Sequence, residues 1–219
     1  MKVTTDACLF GAWCAEDLSN KNSSFGLDIG AGTGLLSLQV AQKNKLQIHA
    51  IEIDEDAARQ AEENIIASAF SSQIKVLNTD AAHLNYARQY DVIISNPPFY
   101  ENELQSALPK RNLAHHNGLP LKALFDIVKR NLSDAGQFYL LLPYKRLKEA
   151  ESLLLNNNLM LHEKCVVYPS LLHLPQRVML NGSHHHHGRL RQSSIAIKNE
   201  CNTYTSEFVL LLKDYYLHL

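Results

Sequence analysis

Asn96-Pro97-Pro98-Phe99-Tyr100 is the stretch of this chain best suited to chemistry on a planar amine. Two consecutive prolines remove two backbone donors and stiffen the chain, so carbonyls in the segment stay free as acceptors. An exocyclic amine has two hydrogens and a lone pair delocalised into its ring or carbonyl. If Asn96 Oδ1 and the Pro97 carbonyl each accept one hydrogen, the nitrogen is drawn toward tetrahedral geometry and its lone pair is aimed at an incoming carbon. Neither acceptor is a base at neutral pH, so catalysis would come from orientation and electrostatics. Phe99 offers a flat face on which the amine-bearing group can stack. Asn96, Pro97, Pro98 and Phe99 are therefore the candidate catalytic set, and Phe99 and Tyr100 candidate substrate contacts. Adenine N6, cytosine N4 and a glutamine amide all satisfy this chemistry, and a rigid turn leaving a sheet is the bland alternative.

A second constellation lies upstream, in Asp28-Ile29-Gly30-Ala31-Gly32-Thr33-Gly34. Glycines permit positive φ and close approach of backbone to a ligand. A dinucleotide fingerprint would run G-x-G-x-x-G, but its third glycine position is Leu35 here. Glycines at 30, 32 and 34 behind an aspartate are typical of S-adenosylmethionine sites, whose ligand carries an ammonium rather than a pyrophosphate. Glu52 ends the next apolar run, where a carboxylate can accept from ribose hydroxyls. Asp54 is the lesser choice because it can cap the helix starting near Glu55. Asp80 ends the run after that, as an acceptor for an adenine amino group or as a helix cap. The candidate cofactor set is Asp28, Gly30, Ala31, Gly32, Gly34, Glu52, Ile53, Asp80 and Asn96.

These residues need elements that bring them together. From residue 25 onward strand-like runs and helical patterns alternate, which predicts an α/β fold with a mostly parallel sheet. Residues 25–30, 47–54, 74–80 and 90–96 read as strands, and 35–44 and 57–70 as helices. Ligands of such sheets lie beyond the carboxyl ends of the strands, so Asp28, Glu52, Asp80 and Asn96 should gather on one rim. Residues 97–120 form a connection too long to be ordinary and are expected to be functional. A helix over 121–132, a strand over 136–143, a charged helix over 145–157 and a strand over 161–169 follow. Residues 177–181 and 191–198 read as an antiparallel pair around NGSHHHHGRL, and residues 204–219 as a terminal helix. With no convincing linker, one domain is expected: a segment 1–24 that covers the cofactor, a binding core 25–144, and a C-terminal sheet edge with terminal helix 145–219.

The 219 residues are 46% hydrophobic, enough for a substantial core. The four cysteines make no C-x-x-C pair, which argues against a zinc site or disulfide framework and for a reduced, cytoplasmic protein. No apolar run approaches a membrane span, and the start lacks the pattern of a signal peptide. The net charge of -1 hides a division: residues 1–106 carry 7 basic and 14 acidic side chains, and residues 107–219 carry 14 and 8. The cofactor motifs thus fall in a half of net charge -7, followed by one of +6.

In order along the chain, MKVTTDACLFGAW (1–13), LDIGAGTGLLSLQVA (27–41), ISNPPFY (94–100), LPQRVML (174–180) and YTSEFVLLLKDYYL (204–217) resemble the bacterial tRNA(Val)-specific adenine-N6 methyltransferases. The resemblance covers nearly the whole chain and implies a Rossmann-like S-adenosylmethionine-dependent methyltransferase fold with strand order 3-2-1-4-5-7-6 and an antiparallel C-terminal edge. It implies a tRNA substrate methylated at the adenine 3′ of the anticodon, and it puts Thr5 and Asp6 near the cofactor. Lys110, Arg111, His115 and His116, together with Lys145, Arg146 and Lys148, are then candidate phosphate contacts or solvated charged faces. No membrane partner and no obligatory metal are expected. The histidine run at 184–187, flanked by Gly-Ser and Gly, reads as a loop insertion or the scar of a tag. Three rivals stay open: glutamine-N5 methylation of a protein, adenine-N6 methylation of other RNA or DNA, and an RNA-binding scaffold without turnover.

Overall fold

The computed structural model describes residues 3–84, 89–97, 119–185 and 188–218. Its eight strands form one sheet in the order β3-β2-β1-β4-β5-β7-β6-β8. They are β1 (Phe25–Ile29), β2 (Gln47–Glu52), β3 (Ile74–Asn78), β4 (Tyr90–Ser95), β5 (Leu132–Pro143), β6 (Met160–Ser170), β7 (Arg177–Ser183) and β8 (Arg191–Lys198). The helices are α1 (Thr5–Leu18), α2 (Leu35–Lys43), α3 (Glu55–Ile66), α4 (Leu121–Asn131), α5 (Leu147–Asn156) and α6 (Ser206–Leu212).

Period-two alternation along the central strands sorts side chains into two cores, one on each face. Val92, Ile94, Tyr139 and Leu141 meet α1, α2 and α6 through Phe10, Val40 and Phe208. Ile93, Phe138, Leu140 and Leu142 meet α4 and α5 through Phe125, Val128 and Leu154. Helix α1 approaches α2 so closely that a Cβ on Gly11 would lie 2.0 Å from Gln39 Oε1. Gln39 Nε2 in turn donates to the Cys8 carbonyl at 3.0 Å.

Strands β1 to β5 are parallel, and the expected order of the first seven strands is the observed one. The expected pairing of 177–181 with 191–198 is overturned. Strand β7 lies antiparallel between β5 and β6, and β8 runs parallel to β6 at the sheet's edge. The physical reason is burial: six of the seven residues of β7 are buried, and both its edges find partners, whereas β8 is exposed over its first half. The terminal helix is also shorter than expected, ending at Leu212. None of the described helices is long and apolar enough to cross a membrane.

Candidate functional site

Strand register builds the site. Ile29 stands level with Ile51 on one side and Ser95 on the other, and Glu52 is level with Asn78. One residue further, Gly30, Glu52 and Asn96 therefore reach the carboxyl rim on three adjacent strands, about 4.8 Å apart per strand. The Ser95 hydroxyl donates to the Ile29 carbonyl at 2.7 Å, locking the end of β4 to the end of β1. Pro97 is buried and Asn96 half-buried, and the Asn96 side chain makes no hydrogen bond to another described residue. Pro98, Phe99, Tyr100, Lys110, Arg111 and His115 lie outside the described residues.

The glycine turn has the backbone its sequence requires. Gly30, Gly32 and Gly34 have φ of 73°, 57° and 84°, in the left-handed region that side chains disfavour. The Gly30 and Ala31 amides both donate to the Ile51 carbonyl at 2.9 Å, tying the turn to β2. A Cβ on Gly30 would meet no atom within 4 Å, so this glycine borders open space. Gly34 starts α2 with no side-chain cap, which leaves amides of the first helical turn as donors for a ligand.

Glu52 is buried, and both its oxygens meet backbone amides: Oε2 that of Gly32 at 2.8 Å and Oε1 that of Asp54 at 3.0 Å. It thus braces the glycine turn against the exit of β2. Each carboxylate oxygen retains a second acceptor direction, so ribose hydroxyls remain compatible with this bracing. Ile53 beside it is 53% exposed, a large apolar side chain turned to solvent at the rim. Asp54 Oδ1 accepts from the Ala57 amide at 2.9 Å and caps α3. Asp80 does the same for a short 3-10 turn, Ala81–His83, through the Ala82 amide at 2.8 Å. Its capping role is therefore realised alongside its place at the rim.

Asp28 differs from the expected rim position. The pleat turns it into the α2 face, where it is fully buried and Oδ2 accepts from the Ser37 hydroxyl at 2.7 Å. Its Oδ1 has no hydrogen-bond partner. Burial raises the carboxyl to about 7, against the hydrogen bonds from Ser37 and with help from the Glu52 charge. A buried acceptor without a donor, next to an open glycine turn and an uncapped helix start, fits a ligand that brings its own N–H groups and positive charge. The residues present thus fit S-adenosyl-L-methionine, with Ser37, Ser95 and Asn78 as supports that sequence patterns did not reveal. Only a pairing across strands or onto α2 marks those three.

Asp6 and Thr5 open α1. Arg177 Nε, at the first residue of β7, donates to Asp6 Oδ2 at 2.7 Å. Burial would raise the Asp6 carboxyl, but hydrogen bonds from Thr4 and Arg177 and the Arg177 charge hold it below the ordinary aspartate value. Thr5 lines a cavity at the ends of β6 and β8. Lys145 and Arg146 lie in the 3-10 turn Tyr144–Arg146 that leaves the carboxyl end of β5, the strand beside β4. Lys145 is exposed, whereas Arg146 makes a two-bond pair with Glu149 at 2.9 and 2.7 Å. His184 and His185 sit at the other end of the sheet, bonded to the Leu132 carbonyl at 3.2 Å and Asp134 at 2.8 Å. Among the described residues no three His, Cys, Asp or Glu side chains cluster as a metal site.

Residues 12–142 match the methyltransferase small domain family. A tRNA1(Val) (adenine(37)-N6)-methyltransferase of Pseudoalteromonas translucida is 36% identical over 222 residues, covering 100% of this chain and 93% of that protein. One of Dyadobacter fermentans is 43% identical over 145 residues, 65% of this chain and 59% of that protein. Among solved structures, a predicted O-methyltransferase from Agrobacterium tumefaciens superposes with a TM-score of 0.70 at 17% identity, covering 97% of this chain and 98% of that one. That structural likeness concerns the fold.

Proposed function

Because this chain belongs to the family of tRNA1(Val) (adenine(37)-N6)-methyltransferases, we propose that it transfers a methyl group from S-adenosyl-L-methionine to N6 of adenine 37 in that tRNA. The observation that carries the reading is Asn96-Pro97 following β4 directly beside the glycine turn that follows β1. A tRNA-modifying role also implies a cytoplasmic protein.

The cofactor supplies an electrophilic methyl carbon on a sulfonium. The chain's own work is to hold both reactants. In this reading the unpartnered Asp28 Oδ1 is the charge-assisted partner of the cofactor's ammonium, Glu52 and Ile53 serve the ribose and adenine, and Asp80 serves the adenine amino group. Thr5 belongs to the covering segment 1–24 of this reading and opens α1. Asn96 Oδ1 and the Pro97 carbonyl accept the two hydrogens of the target amine and aim its lone pair. Pro98, Phe99 and Tyr100 complete the base pocket in this reading. Lys110, Arg111, His115, Lys145 and Arg146 meet phosphates and fix the loop without reading its sequence. No general base is required, since the proton can leave to water after transfer.

Radiolabelled cofactor and bulk tRNA, followed by digestion to nucleosides, test the reading. Labelled N6-methyladenosine is expected. Label in protein glutamine instead would replace this function by the amide-methylating rival, and cofactor binding without any transfer would favour the scaffold.

A further inference from the structure

The carboxyl rim continues past β5 to the cavity at the ends of β6 and β8. Strands β6 and β8 end level with each other at Ser170 and Lys198. The turn after β6 and the loop after β8 surround a cavity of about 500 Å³, lined among others by Thr5, Leu172, His173, Lys198, Asn199 and Tyr204. Its size suits one nucleotide. Lys198 Nζ donates to Asn202 Oδ1 at 2.9 Å and lies 6.0 Å from the centre of the Tyr204 ring. Among the described residues it meets no carboxylate, and Glu200 is the one acidic side chain in the lining. Beside the cavity Leu171, Leu172 and Leu174 are 60%, 71% and 86% exposed. Three bare leucines within four residues are a patch that folding alone does not explain.

We propose that this cavity receives an unpaired nucleotide of the tRNA loop other than the target adenine, with its phosphate at Lys198 and its base against Leu172. The inference rests on the tRNA reading above. Three strand spacings and about five residues of rise separate the end of β6 from Asn96, on the order of 20 Å along the same rim. A substrate loop seated at Asn96 thus reaches the cavity without crossing an edge of the sheet. The Asp6–Arg177 pair stands between the two places and ties α1 to the rim there. Exposed apolar side chains, a cation that meets no carboxylate among the described residues and side-chain amides together suit single-stranded RNA: apolar contact for a base, charge for phosphate.

An anticodon stem-loop oligonucleotide and an adenine-containing trinucleotide separate the possibilities when each is assayed for binding and transfer. Leu172→Asp and Lys198→Glu should each raise Kd and KM for the stem-loop by about tenfold or more. Their kcat, their affinity for S-adenosylhomocysteine and their transfer to the trinucleotide should match wild type. Glu200→Gln should tighten stem-loop binding. Lys198→Gln, checked for an unchanged melting temperature, guards against misfolding and should weaken binding in the same direction. Unchanged stem-loop affinity in the folded variants would overturn the cavity assignment while leaving the methylation reading intact. A wild-type dimer that Leu172→Asp converts to monomer would also overturn it, since the leucines would then serve a second copy of the chain. Failure of wild-type protein to bind or methylate the stem-loop would instead remove the function on which the inference depends.

Discussion

At the residue scale, the proposed chemistry rests on the Asn96 amide and on two buried carboxylates, Glu52 and Asp28. The Asn96 side chain makes no bond to another described residue. Replacing it by Ala should lower kcat by roughly 10²–10³ or more, as loss of one positioned electrostatic partner does elsewhere. Cofactor affinity should stay within about twofold. Isothermal titration alongside single-turnover assays reads both, and full turnover in Asn96→Ala would sink the mechanism. Glu52 is occupied by the Gly32 and Asp54 amides. In Glu52→Gln the new amide group faces a backbone donor, so stability should fall by about 1–3 kcal/mol, and cofactor affinity should fall with it; urea unfolding and titration measure the two.

Asp28 makes pH a probe of the same site. Its folded value of about 7 lies above the ordinary 3.8, so the stabilising contribution of this group is complete below that lower value and is lost as pH rises toward 7. A cationic ligand favours the ionised form. Cofactor affinity should therefore rise with pH up to about 7, by about tenfold per unit where one proton is released. Asp28→Asn should flatten that profile. Affinity that is level between pH 5 and 7 in the wild-type protein would mean that Asp28 does not sense the ligand's charge.

At the scale of elements, α1 is held to the sheet by few polar bonds but by a nearly continuous apolar surface. Ala7 to Ala12 are all buried, together with Cys14, Ala15 and Leu18. That continuity hides α1 in the sequence, because a helix covered on more than one side lacks the one-faced period that reveals amphipathic helices. Its one cross-link to the rim, Asp6–Arg177, has 17% and 32% side-chain exposure. Arg177→Met leaves a half-buried aspartate without its partner and should cost roughly 1–2 kcal/mol; Asp6→Asn should cost less. Equal losses in denaturant titrations would contradict the asymmetry.

The glycine turn, the cap at Asp54 and the strand ending at Asn96 were legible because each depends on neighbours within a few residues. The place of β7 between β5 and β6 came with the expected strand order, but its second partner did not follow from local pattern, because β6 rather than β8 covers its other edge. A hairpin reading of 177–181 with 191–198 follows from proximity in sequence alone. The inward turn of Asp28 had the same origin: the pleat places it on the α2 face, and its partner Ser37 is on another element.

At the scale of the whole molecule, the charge division acquires a direction. The -7 half supplies the strands β1 to β4 that carry the cofactor candidates. The +6 half supplies β5 to β8, with Lys145, Lys148 and Lys198 at or near the rim beyond Asn96. A near-neutral total therefore accommodates a polyanionic substrate. Log affinity for tRNA should fall steeply and linearly with log salt concentration, with a slope of several units if several phosphates are met. A slope near zero would argue against phosphate contacts by this half, while cofactor binding should barely change over the same range.

The central claim joins one amine to one pair of acceptors, and it is tested most directly on a single nucleotide. Purified tRNA1(Val) transcript with adenine at position 37, and a copy with guanine there, are incubated with labelled S-adenosyl-L-methionine and digested to nucleosides. Label in N6-methyladenosine from the first transcript and none from the second is the predicted result. Equal labelling of both, or no label in either, would contradict it.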